Sequence, residues 1–149
     1  MRFFLLGLLA GAACIPAVLA AQEDAPEGDA LFRLHCAACH QASGNGVPGM
    51  FPRVRGHVGE LAADENGGRD YVLAVLVNGL TGPISVDGKT YSGYMPAFAK
   101  LPDAEIAAIL NSLGVAPANH FTAAEVSAMR GRELSASDVG AMSPSKAGS

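Results

Sequence analysis

The chain has 149 residues, of which 50% are hydrophobic and 16% charged, and its formal net charge is −4. A chain of this length can build one compact core but is too short for two full domains. Because nucleic-acid binding requires a basic face, the acidic balance argues against a nucleic-acid partner. We therefore expect one domain with short flanking segments.

The first twenty residues have the pattern of a secretory signal peptide. Arg2 precedes an apolar run, and small residues follow up to a V-x-A sequence before Ala21. Segments of this kind direct export and are then removed. We predict that residues 1–20 are cleaved and that residues 21–27 form an acidic, flexible lead-in.

Two alternatives would leave the protein attached to a membrane. The apolar stretch is near the lower length limit for a spanning helix, although Pro16 interrupts it. The stretch ending at Cys14 has the small residues of a lipoprotein box, but Gly11 stands where a larger aliphatic residue is usual. We expect membrane association only if the leader is retained or Cys14 is lipidated.

The motif C-x-x-C-H at residues 36–40 carries the chemistry of the chain. Cys36 and Cys39 lie on one helical turn and can each bond a vinyl group of one porphyrin, with His40 then under the iron as proximal ligand. A zinc site would need two more soft ligands, and Cys14 is in the leader. A disulfide or thioredoxin-like pair leaves His40 without a role. The motif therefore predicts one covalent c-type haem.

Helices and loops are expected to surround this motif. The first helix should start near Gly28 and carry Phe32 one turn later, so that another helix can cross closely at the glycine. Residues 43–57 are rich in glycine and proline and indicate a loop folded against the haem. A proximal histidine needs an acceptor for its second ring N–H. Pro52 is our candidate to supply that carbonyl, and Pro48 is the alternative.

The second half of the chain should supply the other iron ligand. A polar, glycine-bearing connection at 58–68 precedes a buried helix over 70–79, and a long loop over 81–98 contains a small hairpin turn at Asp87-Gly88. Met95 lies at the end of this loop, and a thioether binds haem iron as a soft ligand. Met50 is the competing methionine. His57 is expected to face solvent or a haem propionate.

An amphipathic helix over 102–114 closes the core and should pack across the first helix. Its apolar face holds Ile106, Ile109, Leu110 and Leu113. Residues 115–149 form an extension, in which Thr122 and Glu125 make a capping box for a short helix. From Ser135 onward the Ser/Ala/Gly-rich composition predicts a mobile tail.

The motifs together resemble those of class I c-type cytochromes, specifically small periplasmic monohaem proteins of bacteria. The resemblance covers about residues 28–114 and rests on five stretches: C-x-x-C-H at 36–40, G-x-G-V-P-G at 44–49, P-x-V at 52–54, G-x-M-P-x-F at 93–98 and the closing D-x-E-I-A helix. It implies an all-α cytochrome c fold, a few helices wrapped round one haem with long irregular loops.

The resemblance also implies the site residues. His40 and Met95 would be the axial ligands, Pro52 the acceptor for the histidine, and Val54 a further haem contact. One departure is Ser112, which stands where an aromatic residue commonly packs on the first helix. We therefore expect a looser crossing of the first and closing helices.

The expected function is periplasmic electron transfer without substrate chemistry, because two axial ligands leave no open iron position. The donor and acceptor would be redox proteins such as a dehydrogenase, an oxidase or a copper reductase. The alternatives are a haem enzyme or gas sensor with a displaceable distal ligand, and a structural cytochrome subunit of a dehydrogenase complex. If the docking face is acidic like the chain, the partner should be basic and electron transfer should slow with salt.

Overall fold

The computed structural model describes residues 27–144. The predictions for the leader and for most of the lead-in fall on residues 1–26, outside this range. Within it, a short 3₁₀ turn covers Pro117–Asn119, and the regular elements are α1 (Gly28–His35), α2 (Ala37–His40), α3 (His57–Ala62), α4 (Gly68–Asn78), β1 (Leu80–Val86), β2 (Lys89–Met95), α5 (Asp103–Asn111), α6 (Ala123–Arg130) and α7 (Ala136–Ala141). The predicted all-α class is confirmed as mainly helical, with one small sheet. No helix between residues 27 and 144 is long and apolar enough to cross a membrane.

The crossing of α1 and α5 joins the two ends of the core. A Cβ added to Gly28 would overlap the Ala108 carbonyl and lie 2.9 Å from the Ser112 Cβ, so the two helices touch through their backbones. Phe32, one turn further along α1, is 1% exposed. The predicted crossing is confirmed, and Ser112 lies next to Gly28 at the contact between the two helices.

Arg55 fastens the loop after α2 to this crossing. Its guanidinium donates to the carbonyls of Ser112 (Nη1–O 2.7 Å) and Ser43 (Nε–O 3.0 Å), and to the Asp29 carboxylate (Nη2–Oδ1 2.8 Å). It also lies over the Phe32 ring at 5.9 Å from the centroid. One side chain thus connects α1, α5 and the 43–57 loop.

The middle of the chain is more regular than expected. Residues 57–62, within and next to the predicted polar connection, form α3, which buries Val58 and Ala62. The predicted helix over 70–79 is confirmed as α4, most of which is buried. The hairpin turn at Asp87-Gly88 is also confirmed, but it joins two strands with seven residue pairs, from Leu80↔Met95 to Val86↔Lys89. Pro83 is tolerated because, within residues 27–144, no third strand joins this antiparallel pair to need its N–H.

The extension after α5 packs against the core over its described length. The capping box of Thr122 and Glu125 starts α6, as predicted. The sequence predicts a mobile tail from Ser135 onward, but residues 136–141 form α7, with Val139 fully buried, and residues 145–149 lie outside the described range. A Cβ on Gly140 would overlap the Thr81 carbonyl of β1. Small residues here permit close packing.

Arg69 connects α4 to the start of α6. It pairs with Glu125 (Nε–Oε1 2.7 Å) and donates to the carbonyls of Asn119 (2.7 Å) and His120 (2.9 Å). Its guanidinium lies 4.2 Å from the Phe121 ring centroid. The ion pair with Arg69 lowers the pKa of Glu125 to about 2.

Replacing Gly28 by alanine should lower the free energy of unfolding by about 1–3 kcal/mol, because the added methyl forces α1 away from α5. Chemical denaturation of the haem-loaded protein measures this. The control is Gly131→Ala, where an added Cβ would meet only the Ala128 carbonyl at 3.5 Å. That variant should stay within about 0.5 kcal/mol of wild type. Equal losses in both would contradict the tight crossing.

Glu125→Gln should change the pH dependence of stability. Folding lowers the pKa of Glu125 from its ordinary 4.5 to about 2. The ionised carboxylate therefore contributes its full stabilisation above pH 4.5, and this stabilisation disappears as the pH falls toward 2. Because the pair is partly exposed, the contribution at pH 6 should be at most about 1 kcal/mol. Denaturation of both proteins at pH 6 and near pH 2 checks this. A stability difference that does not shrink in acid would refute the ion-pair account.

Candidate functional site

An apolar cleft lies between the α1–α2 segment, α4 and the hairpin. It has an inner lobe of about 850 Å³ and an outer lobe of about 590 Å³, open mouths included. This is the size range of cofactor pockets. Both lobes are lined by His40, Pro52, Leu80, Ile84 and Met95. The deepest wall of the inner lobe is made by core side chains: Phe32, Tyr71, Val72, Val75, Ile109 and Leu113.

The two cysteines stand at the edge of this cleft as free thiols. Cys36, between α1 and α2, is partly buried in the inner lobe, and Cys39 is exposed at the outer lobe. Burial, with a smaller effect of Cys39, raises the pKa of the Cys36 thiol to about 11. A neutral thioether carries no charge and escapes that desolvation cost. The site thus suits thioether bonds better than thiolate chemistry.

His40 is held in one tautomer by the backbone. Its ring is 7% exposed, and Nδ1 lies 3.0 Å from the Pro52 carbonyl oxygen. A carbonyl only accepts, so Nδ1 carries the proton and Nε2 keeps a lone pair for a metal. Burial lowers the pKa of His40, and the hydrogen bond to Pro52 opposes this shift only in part. The lowered pKa favours the neutral imidazole. Pro52, and not the alternative Pro48, is the residue in contact.

The loop reaches His40 because the chain turns sharply at Gly46. This residue has φ +67°, and a Cβ there would overlap the carbonyls of Phe51 and Pro52. Its N–H donates to the His40 carbonyl at 2.9 Å. Val54, two residues beyond Pro52, lines the inner lobe. Only glycine permits this return of the chain onto the histidine.

Met95 ends β2 at the border between the two lobes. It pairs with Leu80, and it packs partly buried against the core. Gly79, at φ +79°, brings the end of α4 so close that a Cβ there would be 2.8 Å from the Met95 carbonyl oxygen. The Phe98 N–H donates to the Leu76 carbonyl at 2.8 Å. The backbone at Met95 and just after it therefore lies against the C-terminal end of α4.

Met50 occupies a different environment. It lies in the short turn between the bridged residues Val47 and Phe51, and it is 65% exposed. It lines only the outer lobe, whereas Met95 lines both. Met95 is therefore more enclosed by the cleft than Met50.

Arg53 is a residue of the cleft that sequence reasoning missed. It binds the Asp87 carboxylate in two-pronged fashion, at 2.9 Å to each oxygen, and donates to Glu60 at 3.3 Å. These contacts raise its pKa, with the Asp87 hydrogen bond as the largest cause. His57 also lines the inner lobe, where Nδ1 lies 3.0 Å from a Glu60 oxygen. An acidic residue at a hairpin tip was the only signal for this network.

The extension also contributes to the cleft wall, which no pattern in the sequence indicated. Ser143 and Pro144 line the inner lobe, and Ser143 hydrogen-bonds the Tyr71 hydroxyl. Burial raises the pKa of Tyr71. Residues that follow α7 therefore close one side of the space in which a cofactor would lie.

Charged side chains are scarce in the lining of the cleft. Among the described residues, no Asp or Glu lines either lobe, and the outer lobe has no charged side chain. Tyr94, 71% exposed, and Met50 stand at its mouth. The nearest carboxylates in these contacts, Asp87 and Glu60, lie behind Arg53 and His57 of the inner lobe.

These features fit covalently bound haem. The slot is apolar, two thiols stand at its edge, a neutral imidazole offers Nε2, and a thioether lines the same space. Among residues 27–144, no group of three or more His, Cys, Asp or Glu could hold a different metal ion.

Comparison with known proteins supports this interpretation. Residues 25–113 match the family model for cytochrome c. A protein named cytochrome c-552 from Thermus thermophilus is 42% identical over 147 residues, covering 93% of this chain and 90% of the relative. A second cytochrome c-552 from Thermus thermophilus is 46% identical over 112 residues, covering 70% of this chain and 85% of that protein. Because the first match covers 93% of this chain, it must include much of the extension after residue 114.

The family match covers the motif, the Pro52 loop, the Met95 hairpin and α5 in one continuous stretch. The residues around the cleft are those that covalent haem requires. The chain therefore belongs to the cytochrome c family, as a class I c-type cytochrome that carries covalently bound haem and serves as an electron carrier.

Proposed function

We propose that this protein is a periplasmic carrier of single electrons, with haem iron held between His40 and Met95 and thioether bonds at Cys36 and Cys39. The observation that supports this most directly is the His40–Pro52 hydrogen bond, which leaves Nε2 free inside a cleft that Met95 also lines. The leader-like sequence at 1–20 supports export to the periplasm.

Bound haem supplies the redox chemistry, in which iron alternates between the ferrous and ferric states. His40, made more basic by its bond to Pro52, is a firm ligand for both states. The soft Met95 thioether would favour the ferrous state and so raise the reduction potential. The apolar lining would keep water away from bound iron. If His40 and Met95 both hold the iron, no coordination site would remain at which a substrate could react, so we propose no enzymatic activity of its own.

The partner docks, in this proposal, at the mouth of the outer lobe. Cys39 is exposed there, and the lining is uncharged, with Met50 and Tyr94 as its most exposed apolar side chains. Electron-transfer complexes are brief and use small interfaces. A dehydrogenase, an oxidase or a copper reductase with an apolar contact face would suit this surface.

Met95→Ala tests the ligand assignment. In the haem-loaded protein it should abolish the ferric sulfur–iron absorption band, lower the reduction potential and allow fast binding of cyanide or carbon monoxide, because the sixth position is then open. Met50→Ala is the matched control and should leave all three unchanged. If wild type already binds these ligands fast and tightly, the protein is a haem enzyme or gas sensor. If only Met50→Ala removes the band, the ligand is Met50.

Small charged oxidants test the character of the docking surface. Stopped-flow oxidation of the reduced protein by ferricyanide, an anion, and by tris(phenanthroline)cobalt(III), a cation, is followed at two ionic strengths. Salt screens charges over about 10 Å at 0.1 M. With an uncharged outer lobe, both rates should change little. A cation rate that falls and an anion rate that rises with salt would mean that the electron leaves through an acidic face.

A further inference from the structure

The extension touches the connection that follows Met95 through one side chain. Arg130, the last residue of α6, donates to the carbonyls of Ala99 and Leu101, the latter at 2.6 Å. Its Nε donates to the Asp103 carboxylate at 2.6 Å. These partners lie on the connection 96–102 and at the first residue of α5. One guanidinium therefore holds the segment that leads away from Met95.

A second contact reaches the other side of the same methionine. Gly140 of α7 lies against the Thr81 carbonyl, and a Cβ there would be 3.9 Å from a Leu80 side-chain carbon. Leu80 is the residue that pairs with Met95 in the hairpin. The neighbouring Val139 is fully buried. The extension therefore contacts both the strand that pairs with Met95 and the segment that follows Met95.

We propose that residues 122–144 act as a clamp that keeps Met95 on the haem iron, with Arg130 as its positioning residue. The proposal rests on the His40/Met95 ligation proposed above and adds a role for a part of the chain beyond the matched family region. Arg130 acts through the backbone of residues 99–101 and not by contact with the iron.

A thioether is a weak iron ligand, so the fraction of time for which it stays bound depends on how rarely the segment around it opens. Hydrogen bonds from a charged donor are worth more than neutral ones, and the rigid fork of arginine fixes several acceptors in one arrangement. Without Arg130, the Ala99 and Leu101 carbonyls lose these donors. The connection 96–102 then opens more often, and Met95 leaves the iron more often.

Arg132 provides a matched control two residues further along. Its Nη1 donates to the Asp70 carboxylate of α4 at 2.8 Å. Asp70 is not part of the 96–102 connection. Arg132→Gln removes one positive charge and one ion pair between the extension and the core, as Arg130→Gln also does. It leaves the contacts to Ala99 and Leu101 in place.

The experiment compares haem-loaded wild type, Arg130→Gln and Arg132→Gln. It measures the ferric sulfur–iron band, the rate of cyanide binding at saturating cyanide, and the thermal midpoint of each protein. Arg130→Gln should bind cyanide about tenfold faster than wild type, which corresponds to about 1.4 kcal/mol in the opening equilibrium. Its sulfur–iron band should be weaker or more easily lost on warming. Arg132→Gln should match wild type in both readouts, whatever its thermal midpoint.

The outcomes separate the two proposals. A wild type without the sulfur–iron band would mean that the His40/Met95 ligation itself is wrong. A normal wild type with an unchanged Arg130→Gln, or with equal acceleration in both variants, would overturn the clamp. If Arg130→Gln yields no haem-loaded protein, Arg130→Lys takes its place, since lysine keeps the charge near Asp103 but loses the fork. An unchanged cyanide rate in that variant would equally overturn the proposal.

Discussion

The hydrogen bond from His40 to the Pro52 carbonyl is the constraint on which the rest of the site depends. To bring that carbonyl to the ring, the chain reverses at Gly46, and the same reversal brings Arg53, the residue after Pro52, to the cleft. Arg53 then binds Asp87 at the tip of the hairpin. The hairpin ends at Met95. The loop that holds His40 is thus joined to the hairpin that carries Met95 by one ion pair, between Arg53 and Asp87.

The parts of the site that the sequence predicts are those in which neighbours in the chain are neighbours in space. C-x-x-C-H needs one helical turn, and the structure brings its cysteines to the cleft edge without distant contacts. The helices α1 and α5 follow from their apolar spacing and end signals, and the Asp87-Gly88 turn follows from its residue types. Pro52 could be inferred because the loop between it and His40 is short and rich in glycine.

The parts that the sequence does not predict depend on contacts between distant residues. Arg53, Arg55 and Arg130 each join segments far apart in the chain, often through carbonyl oxygens that every residue possesses. No local pattern announces such a contact. The expected mobile tail shows the same difficulty, because Ser, Ala and Gly are typical of flexible segments and also of tight helix packing. At Gly140 the deciding factor is the Thr81 carbonyl, nearly sixty positions earlier.

The wall formed by Ser143 and Pro144 makes the inner lobe depend on both ends of the described chain. The haem-bonding motif lies near the start of this chain, whereas the wall comes from its far end. The two cysteines need only the first two helices to stand close together. The inner lobe, in contrast, is enclosed only when the segment after α7 has packed against Tyr71.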